Sequence, residues 1–335
     1  MNDFNLEELI SLELADLSHN PFGITEDNFR QAIDERSQYF KIISPEVIQL
    51  CNSLGLKDKE TVLKNLWRLW LPLAIQLKEA REKLERTLIQ GILGGQGAGK
   101  STLTVILKLI LGRLGYSVAN LSIDDLYLTY IERQQLQEQD PRLIWRGPPG
   151  THDVDLGLRV IEKCLQGDSQ QPILMPRFDK SAFQGAGDRD VPEIVKKVDI
   201  LLFEGWFVGV QPIIDESVFD HPPLPIVTPE DKQFARDNNQ RLKAYLPLWE
   251  KLDRLLVFNP VDYRLSLQWR KEAEHKIIAT GKSGMSDEEI DRFVEYFWKS
   301  LHPELFITPL IDNSELTDLV VDINRDRTIA KIYRP

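Results

Sequence analysis

The chain has 335 residues, 42% of them hydrophobic and 28% charged, a globular composition that excludes disordered, collagen-like and disulfide-stapled classes. Its 41 Lys+Arg against 52 Asp+Glu give a net charge of −11, which argues against nucleic-acid or anionic-membrane partners. Two cysteines, Cys51 and Cys164, fit neither a disulfide framework nor a metal-ligand spacing, and this suits a reducing, cytoplasmic compartment.

The chain begins without a basic segment leading into an apolar stretch, and its richest apolar run, 105–114, is broken by Lys108 and Arg113. Neither a secretory leader nor a membrane span is expected. Over 1–87 the pattern is helical: Leu63, Leu66, Trp67, Trp70, Leu73, Ala74 and Leu77 recur at spacings of three and four, with a kink expected at Pro72. The composition then shifts at Leu88-Ile89-Gln90-Gly91-Ile92-Leu93, a buried strand entering a glycine-rich turn. A boundary here predicts a helical extension over 1–87 and an α/β core over 88–335.

Beyond the boundary, strand-like runs at 117–123, 172–175, 198–203, 255–258 and 319–323 alternate with helical stretches at 100–114, 155–166, 231–252 and 262–280. Such alternation predicts βα units on a mostly parallel sheet flanked by helices on both faces. The Pro-rich stretch 221–229 reads as a loop. Ser286 and Glu289 form a capping box for a helix whose stripe is Ile290, Phe293, Val294 and Phe297.

The turn after the first strand is Gly94-Gly95-Gln96-Gly97-Ala98-Gly99-Lys100-Ser101, the pattern G-x-x-x-x-G-K-[ST] between a strand and a helix. Its glycines let successive backbone N–H groups face a phosphate, and the following helix, which continues with Thr102, offers its positive end. Lys100 is placed to reach the β- and γ-phosphates, and Ser101 to give its hydroxyl to Mg²⁺. A dinucleotide fingerprint would need glycine at Lys100 or Thr102 and fails in both registers. The loop therefore predicts a nucleoside-triphosphate site with Mg²⁺ as its cation.

Two acids stand at strand ends beside this loop. The strand at 117–123 runs into Asp124-Asp125-Leu126-Tyr127, where a carboxylate can take the proton of an alcohol attacking the γ-phosphate; the bland alternative is a helix cap. Val198-Asp199-Ile200-Leu201-Leu202-Phe203-Glu204 is an apolar strand ending in an acid, the layout of a metal-holding carboxylate, so Glu204 joins Ser101 as a Mg²⁺ ligand. Arg146, Arg177, Lys180 and Arg189 fall in loops of an acidic chain and suit a small anionic acceptor. His152, beside Asp153, is placed to orient a substrate hydroxyl, with Asp124 better placed as the base. A basic segment from Arg264 through Arg270, Lys271, His275, Lys276 and Lys282 reads as a lid over about 260–290 that excludes water. Arg270 is its charge-stabilising arginine.

Ser122-Ile123-Asp124-Asp125-Leu126-Tyr127 resembles the S-x-D-x-F-Y segment of the kinase superfamily that includes phosphoribulokinase, uridine kinase and bacterial pantothenate kinase. That resemblance makes Asp124 the catalytic base. Further segments are similar to the plant-type D-glycerate 3-kinases: Arg146-Gly147-Pro148-Pro149-Gly150-Thr151-His152-Asp153, Pro176-Arg177-Phe178-Asp179-Lys180-Ser181-Ala182, Gly187-Asp188-Arg189, Phe203-Glu204-Gly205-Trp206, Gln268-Trp269-Arg270 and Gly284-Met285-Ser286-Asp287-Glu288-Glu289. They follow one another in the family's order over about 88–325. Trp269-Arg270-Lys271-Glu272-Ala273-Glu274 departs from the family wording W-R-L-Q-A-E but keeps the arginine. The resemblance implies Mg²⁺–ATP-dependent phosphorylation of D-glycerate to 3-phosphoglycerate and a link to photorespiration. The candidate acceptor residues are Asp124, Tyr127, Arg146, His152, Lys180 and Arg189. Two alternatives stay open: a related kinase acting on a nucleoside or pantothenate, and a P-loop regulatory protein that uses ATP as a switch.

Overall fold

The computed structural model describes residues 6–15, 20–167, 171–279, 281 and 284–335; Lys282 and the expected helix end at Thr280 lie outside the described residues. Four helices come first: α1 (Leu6–Ala15), α2 (Phe29–Ser53), α3 (Lys59–Asn65) and α4 (Leu71–Leu84), with a π-helical turn at Leu66–Trp70 joining the last two. This turn is where the bend expected at Pro72 goes. Proline has no N–H for the Arg68 carbonyl and its ring crowds that oxygen, so the helix widens just before it and Leu71 N–H donates to Leu66 O. Leu66, Trp67, Leu69 and Trp70 are all buried in the widened turn.

After Glu85 ends α4 in a left-handed conformation, the chain continues with β1 (Leu88–Gly94), α5 (Lys100–Arg113), β2 (Val118–Ser122), α6 (Tyr130–Gln139), α7 (Val154–Gln166), β3 (Ile173–Asp179), β4 (Asp188–Val195) and β5 (Ile200–Gly205). It is completed by α8 (Pro229–Leu242), α9 (Leu246–Trp249), β6 (Arg254–Pro260), α10 (Leu265–Ile278), α11 (Asp287–Ser300), α12 (Pro303–Phe306), α13 (Thr308–Ile311), β7 (Leu319–Ile323) and β8 (Ile329–Tyr333). The main sheet has the order β2-β5-β1-β6-β7-β8 and is parallel except for β8. It is the mostly parallel, helix-flanked α/β sheet that the alternation predicts.

Both faces of the sheet are covered, so its central strands are apolar at nearly every position. Leu88 and Ile92 point to one face, where they pack with Leu107 and Ile110 of α5 and with Trp67, Leu73 and Leu77. Ile89 and Leu93 point to the other, where Ile161 of α7 and Tyr245, Leu248 and Trp249 meet them. Helices α2 and α4 pack directly on α5, so the helices before β1 and the helix that carries the phosphate loop share one core.

Two expectations are corrected. The run at 172–175 belongs to β3, which pairs antiparallel with β4 in a separate two-stranded sheet. Strand β4 has an almost wholly exposed, charged sequence and so lacks the apolar run that would announce it. The helix expected over 231–252 breaks after Leu242, because Pro247 cannot donate into a continuous helix; the chain restarts as α9 with that proline in its first turn. No helix among the described residues is long and apolar enough to cross a membrane.

Candidate active site

Strand order sets the site. Parallel pairing places Glu204 beside Ile92 of β1 and beside Ser122 of β2, so the acid of β5, the loop after β1 and the acids after β2 converge at the carboxyl edge of the sheet. The phosphate loop turns through Gly97 at φ +77° and Gly99 at φ +94°, conformations that favour glycine. A Cβ on Gly97 would lie 2.7 Å from Trp269 Cβ, so helix α10 rests directly on the loop. Trp269 is fully buried there and donates from Nε1 to Arg325 O at 2.9 Å.

Lys100 Nζ donates to Gly95 O at 3.1 Å and lies 4.0 Å from Glu204 Oε2. Burial pulls its pKa below the ordinary lysine value, with Glu204 and then Asp124 opposing the shift. Ser101 Oγ donates to Glu204 Oε1 at 3.4 Å. A hydroxyl and a carboxylate side by side form a hard-oxygen pair of the kind that holds Mg²⁺ when phosphates and water complete the shell. Among the described residues there is no cluster of three or more His, Cys, Asp or Glu able to hold a metal alone, and this donor set fits a nucleotide-borne cation.

Asp124 faces Lys100 across a cavity of about 800 Å³. Its Oδ1 accepts from Tyr127 OH at 2.8 Å and its Oδ2 from Lys180 Nζ at 2.6 Å. Burial opposes its charge, but the Lys180 ammonium and the Tyr127 hydroxyl outweigh burial and hold the carboxyl below the usual range. Asp125 turns away: it caps its own 3₁₀ turn by accepting from Ser122 N at 3.0 Å and pairs with Arg177 at 3.3 Å.

Arg146 lines the cavity. It donates from Nη1 to Gly185 O at 2.7 Å and Ala186 O at 3.0 Å, and its guanidinium lies over the rings of Phe178 and Tyr127. Arg270 enters from α10 and pairs with Glu274 at 2.8 Å, while Glu274 Oε1 accepts from Met285 N at 3.0 Å. Arg270 and the end of the α10–α11 connection are thus tied through one buried carboxylate.

Three basic residues prove to be braces. Arg177 is spent on Asp125, Glu193 and the carbonyls of Asn120 and Pro176. Arg189 pairs with Asp153 at 2.8 Å and donates to Tyr127 O at 3.2 Å, which takes it off the cavity wall. His152 is buried behind Tyr127, stacked on that ring at 4.6 Å, and its Nδ1 lies 2.8 Å from Tyr245 OH. It supports Tyr127 instead of reaching a substrate. Arg133 has no sequence signal, being one arginine on the polar helix α6, yet it lines the cavity and donates to Leu128 O, Ala186 O and Gly187 O. Trp206, which also lines the cavity, donates from Nε1 to Gly147 O at 3.2 Å and so fixes the segment next to Arg146.

Burial drives His152 down to about pH 3, so it stays neutral in the folded protein. An unfolded histidine takes up a proton near its ordinary pKa, about 6.5, so the unfolded state binds more protons between these values and stability falls as the pH drops through that window. Thermal unfolding of wild type and His152→Gln at pH 7, 6, 5 and 4 checks this. The variant is expected to be less stable at pH 7 and to show a shallower decline.

The loop G-x-x-x-x-G-K-S, an acid at the end of the neighbouring strand and the carboxylate of Asp124 lining the same cavity are the arrangement of an ATP-dependent kinase of small molecules. No family model matches the chain. D-glycerate 3-kinase, chloroplastic, of Arabidopsis thaliana is 29% identical over 333 residues, spanning 92% of this chain and 69% of that protein. A Schizosaccharomyces pombe protein, uncharacterized kinase mug58, is 34% identical over 220 residues, 63% of this chain and 79% of its own. The solved structure of D-glycerate 3-kinase from Cryptococcus neoformans matches with a TM-score of 0.71 at 26% identity, over 78% of this chain and 98% of that one. The chain belongs to the family of P-loop kinases that these proteins form, and the resemblance to D-glycerate 3-kinases read from its motifs stands.

Proposed function

We propose that the protein transfers the γ-phosphoryl group of ATP to the C3 hydroxyl of D-glycerate, giving 3-phosphoglycerate and ADP. The observation that carries this reading is the set Asp124, Lys180 and Arg146 facing Lys100 across one cavity: a base for a hydroxyl, with two cations for a carboxylate. Its closeness to the named D-glycerate 3-kinases supports the same acceptor.

The backbone of Gly94, Gly95, Gln96, Gly97, Ala98 and Gly99, with Thr102 at the start of α5, cradles the triphosphate. Lys100 offsets charge on the β- and γ-phosphates, and Arg270 leaves Glu274 to join it as the lid settles. Ser101 and Glu204 would hold Mg²⁺, which when bound would neutralise charge developing on the phosphates. Asp124 accepts the hydroxyl proton while Arg146 and Lys180 hold the acceptor carboxylate; Tyr127 keeps Asp124 aimed. Positioning and electrostatics supply most of the rate. In this reading 88–335 is the kinase core, with its lid at about 260–290, and 1–87 is an extension that braces it. Both cysteines are buried, and burial pushes the thiols up to about 11 for Cys51 and about 12 for Cys164, which suits a reducing, cytoplasmic setting.

ADP release across a panel of D-glycerate, uridine and pantothenate, with and without chelation of Mg²⁺, tests the proposal. D-glycerate alone is expected to stimulate turnover and chelation to abolish it. Stimulation by another member and none by D-glycerate would reassign the acceptor.

A further inference from the structure

The general base does not stand free. One oxygen of Asp124 accepts from Tyr127 and the other from Lys180, so both are engaged before any acceptor arrives. The two partners differ in how firmly they are held. Tyr127 is 4% exposed, stacked on His152 and edge-on to Phe178; it has no room to leave. The Lys180 side chain is 61% exposed, and among the described residues Asp124 is its one ion-pair or hydrogen-bond partner. It projects from the turn after β3, on a flexible four-carbon stem, while Asp179 ties that turn by accepting from Ser181 N and Oγ at 2.8 and 2.6 Å.

We infer that Lys180 is a gate on the base: it occupies Asp124 Oδ2 in the resting enzyme and is drawn away by the carboxylate of an anionic acceptor, so the base is released only when the correct class of substrate is bound. This rests on the reading of the acceptor as a hydroxy acid. The acceptor carboxylate competes with Asp124 for one ammonium, which is itself solvent-exposed and can turn on its stem from one carboxylate to the other. Arg146, whose guanidinium stays on Gly185 and Ala186, supplies the second contact. Once Lys180 has moved, the acceptor hydroxyl gives its proton to Asp124 Oδ2 and its oxygen bonds to the γ-phosphorus. The bond to the β,γ-bridging oxygen breaks, and that electron pair leaves with ADP.

The other charged or titratable groups facing Asp124 are fixed. Lys100 serves the phosphates, His152 is neutral, and Asp125 is tied to Ser122 and Arg177. Lys180 is therefore the movable charge. A neutral polyol such as glycerol, or water, brings no carboxylate and leaves the gate shut. The device selects anions and also restrains wasteful hydrolysis of ATP.

The test compares Lys180→Met and Lys180→Arg with wild type, measuring turnover of D-glycerate and glycerol and hydrolysis of ATP without acceptor. The expected result for Lys180→Met is a KM for D-glycerate raised by about tenfold or more, as for the loss of one charged contact, with glycerol turnover and acceptor-free hydrolysis rising by about tenfold. Lys180→Arg, which keeps the charge, is expected to hold both background rates near wild type. A raised KM with unchanged background rates would show a carboxylate contact alone and overturn the gate. Failure of wild type to use D-glycerate would instead defeat the acceptor reading, while the hydrolysis arm still judges the gate. Unchanged thermal unfolding, expected for an exposed side chain, excludes misfolding as the cause.

Discussion

Asp124→Asn is expected to lower kcat by roughly 10³-fold, within the range that a positioned base contributes, while ATP binds as in wild type. Asparagine is close in shape and can still accept from Tyr127, so the local fold is retained. It cannot take a proton from an attacking hydroxyl. In the proposed mechanism the phosphates meet the loop at 94–101 and Lys100, and no residue of that loop hydrogen-bonds to Asp124 among the described residues. Steady-state turnover by coupled ADP release, with ATP affinity by calorimetric titration, separates the two effects. A loss of less than about tenfold would remove Asp124 from the role of base. A parallel loss of ATP affinity would make it part of the nucleotide site.

The second large effect concerns stability. Removal of residues 1–87 is expected to abolish cooperative unfolding and ATP binding together. Leu66, Trp67, Leu69, Leu71, Leu73 and Leu77 are almost completely buried, in the same core as Leu103, Ile106, Leu107 and Ile110 of α5. At about 1.5–3 kcal/mol for each large apolar side chain buried, those six alone contribute on the order of 10 kcal/mol. That equals the whole stability of a typical domain. The truncated protein would expose the apolar flank of the helix whose first turn cradles the phosphates. Calorimetry and near-ultraviolet circular dichroism of the 88–335 fragment check this, and a cooperative transition within a few degrees of the full chain would refute it. A local counterpart to truncation is Trp67, whose ring meets Phe40 edge-on at 5.6 Å and carries the Arg36 guanidinium at 5.0 Å.

What the sequence made legible follows the range of each interaction. The phosphate loop is read from eight consecutive residues because its chemistry is local: glycines for the turn, then a lysine and a hydroxyl on the first turn of α5. Glu204 and Asp124 are legible for a related reason, since each ends a strand and parallel strands present their carboxyl ends together. The pairing of β5 between β1 and β2, which brings the two acids to the same loop, comes only from the tertiary structure. Basic residues were harder to sort. Arg146, Arg177, Lys180 and Arg189 look alike as loop cations, yet Arg177 and Arg189 are consumed by Asp125, Glu193 and Asp153, partners distant in the chain. In the sequence His152 looks like a substrate contact, because a histidine beside an aspartate suggests proton chemistry; its burial behind Tyr127 decides otherwise. Arg133 gave no signal because its partners are three carbonyls, which carry no side-chain identity. Strand β8 was missed in the same way, being a short antiparallel edge with no apolar run of its own.

The small hairpin of β3 and β4 stands apart from the main sheet and carries Lys180 in its connection. That connection is clasped by Arg133 on Ala186 and Gly187, by Tyr130 stacked on Phe183 at 4.2 Å, and by Asp188 accepting from Tyr130 N at 3.0 Å. The elements proposed to handle phosphate lie elsewhere, on β1, α5, β5 and α10. In the proposed reading this hairpin contributes Lys180 to the acceptor side of the site, and it meets the main sheet where Lys180 pairs with Asp124 and Arg177 with Asp125. Drift in the length or charge of the segment between Asp179 and Asp188 can retarget such an enzyme to a new alcohol while its energy-yielding half is inherited unchanged.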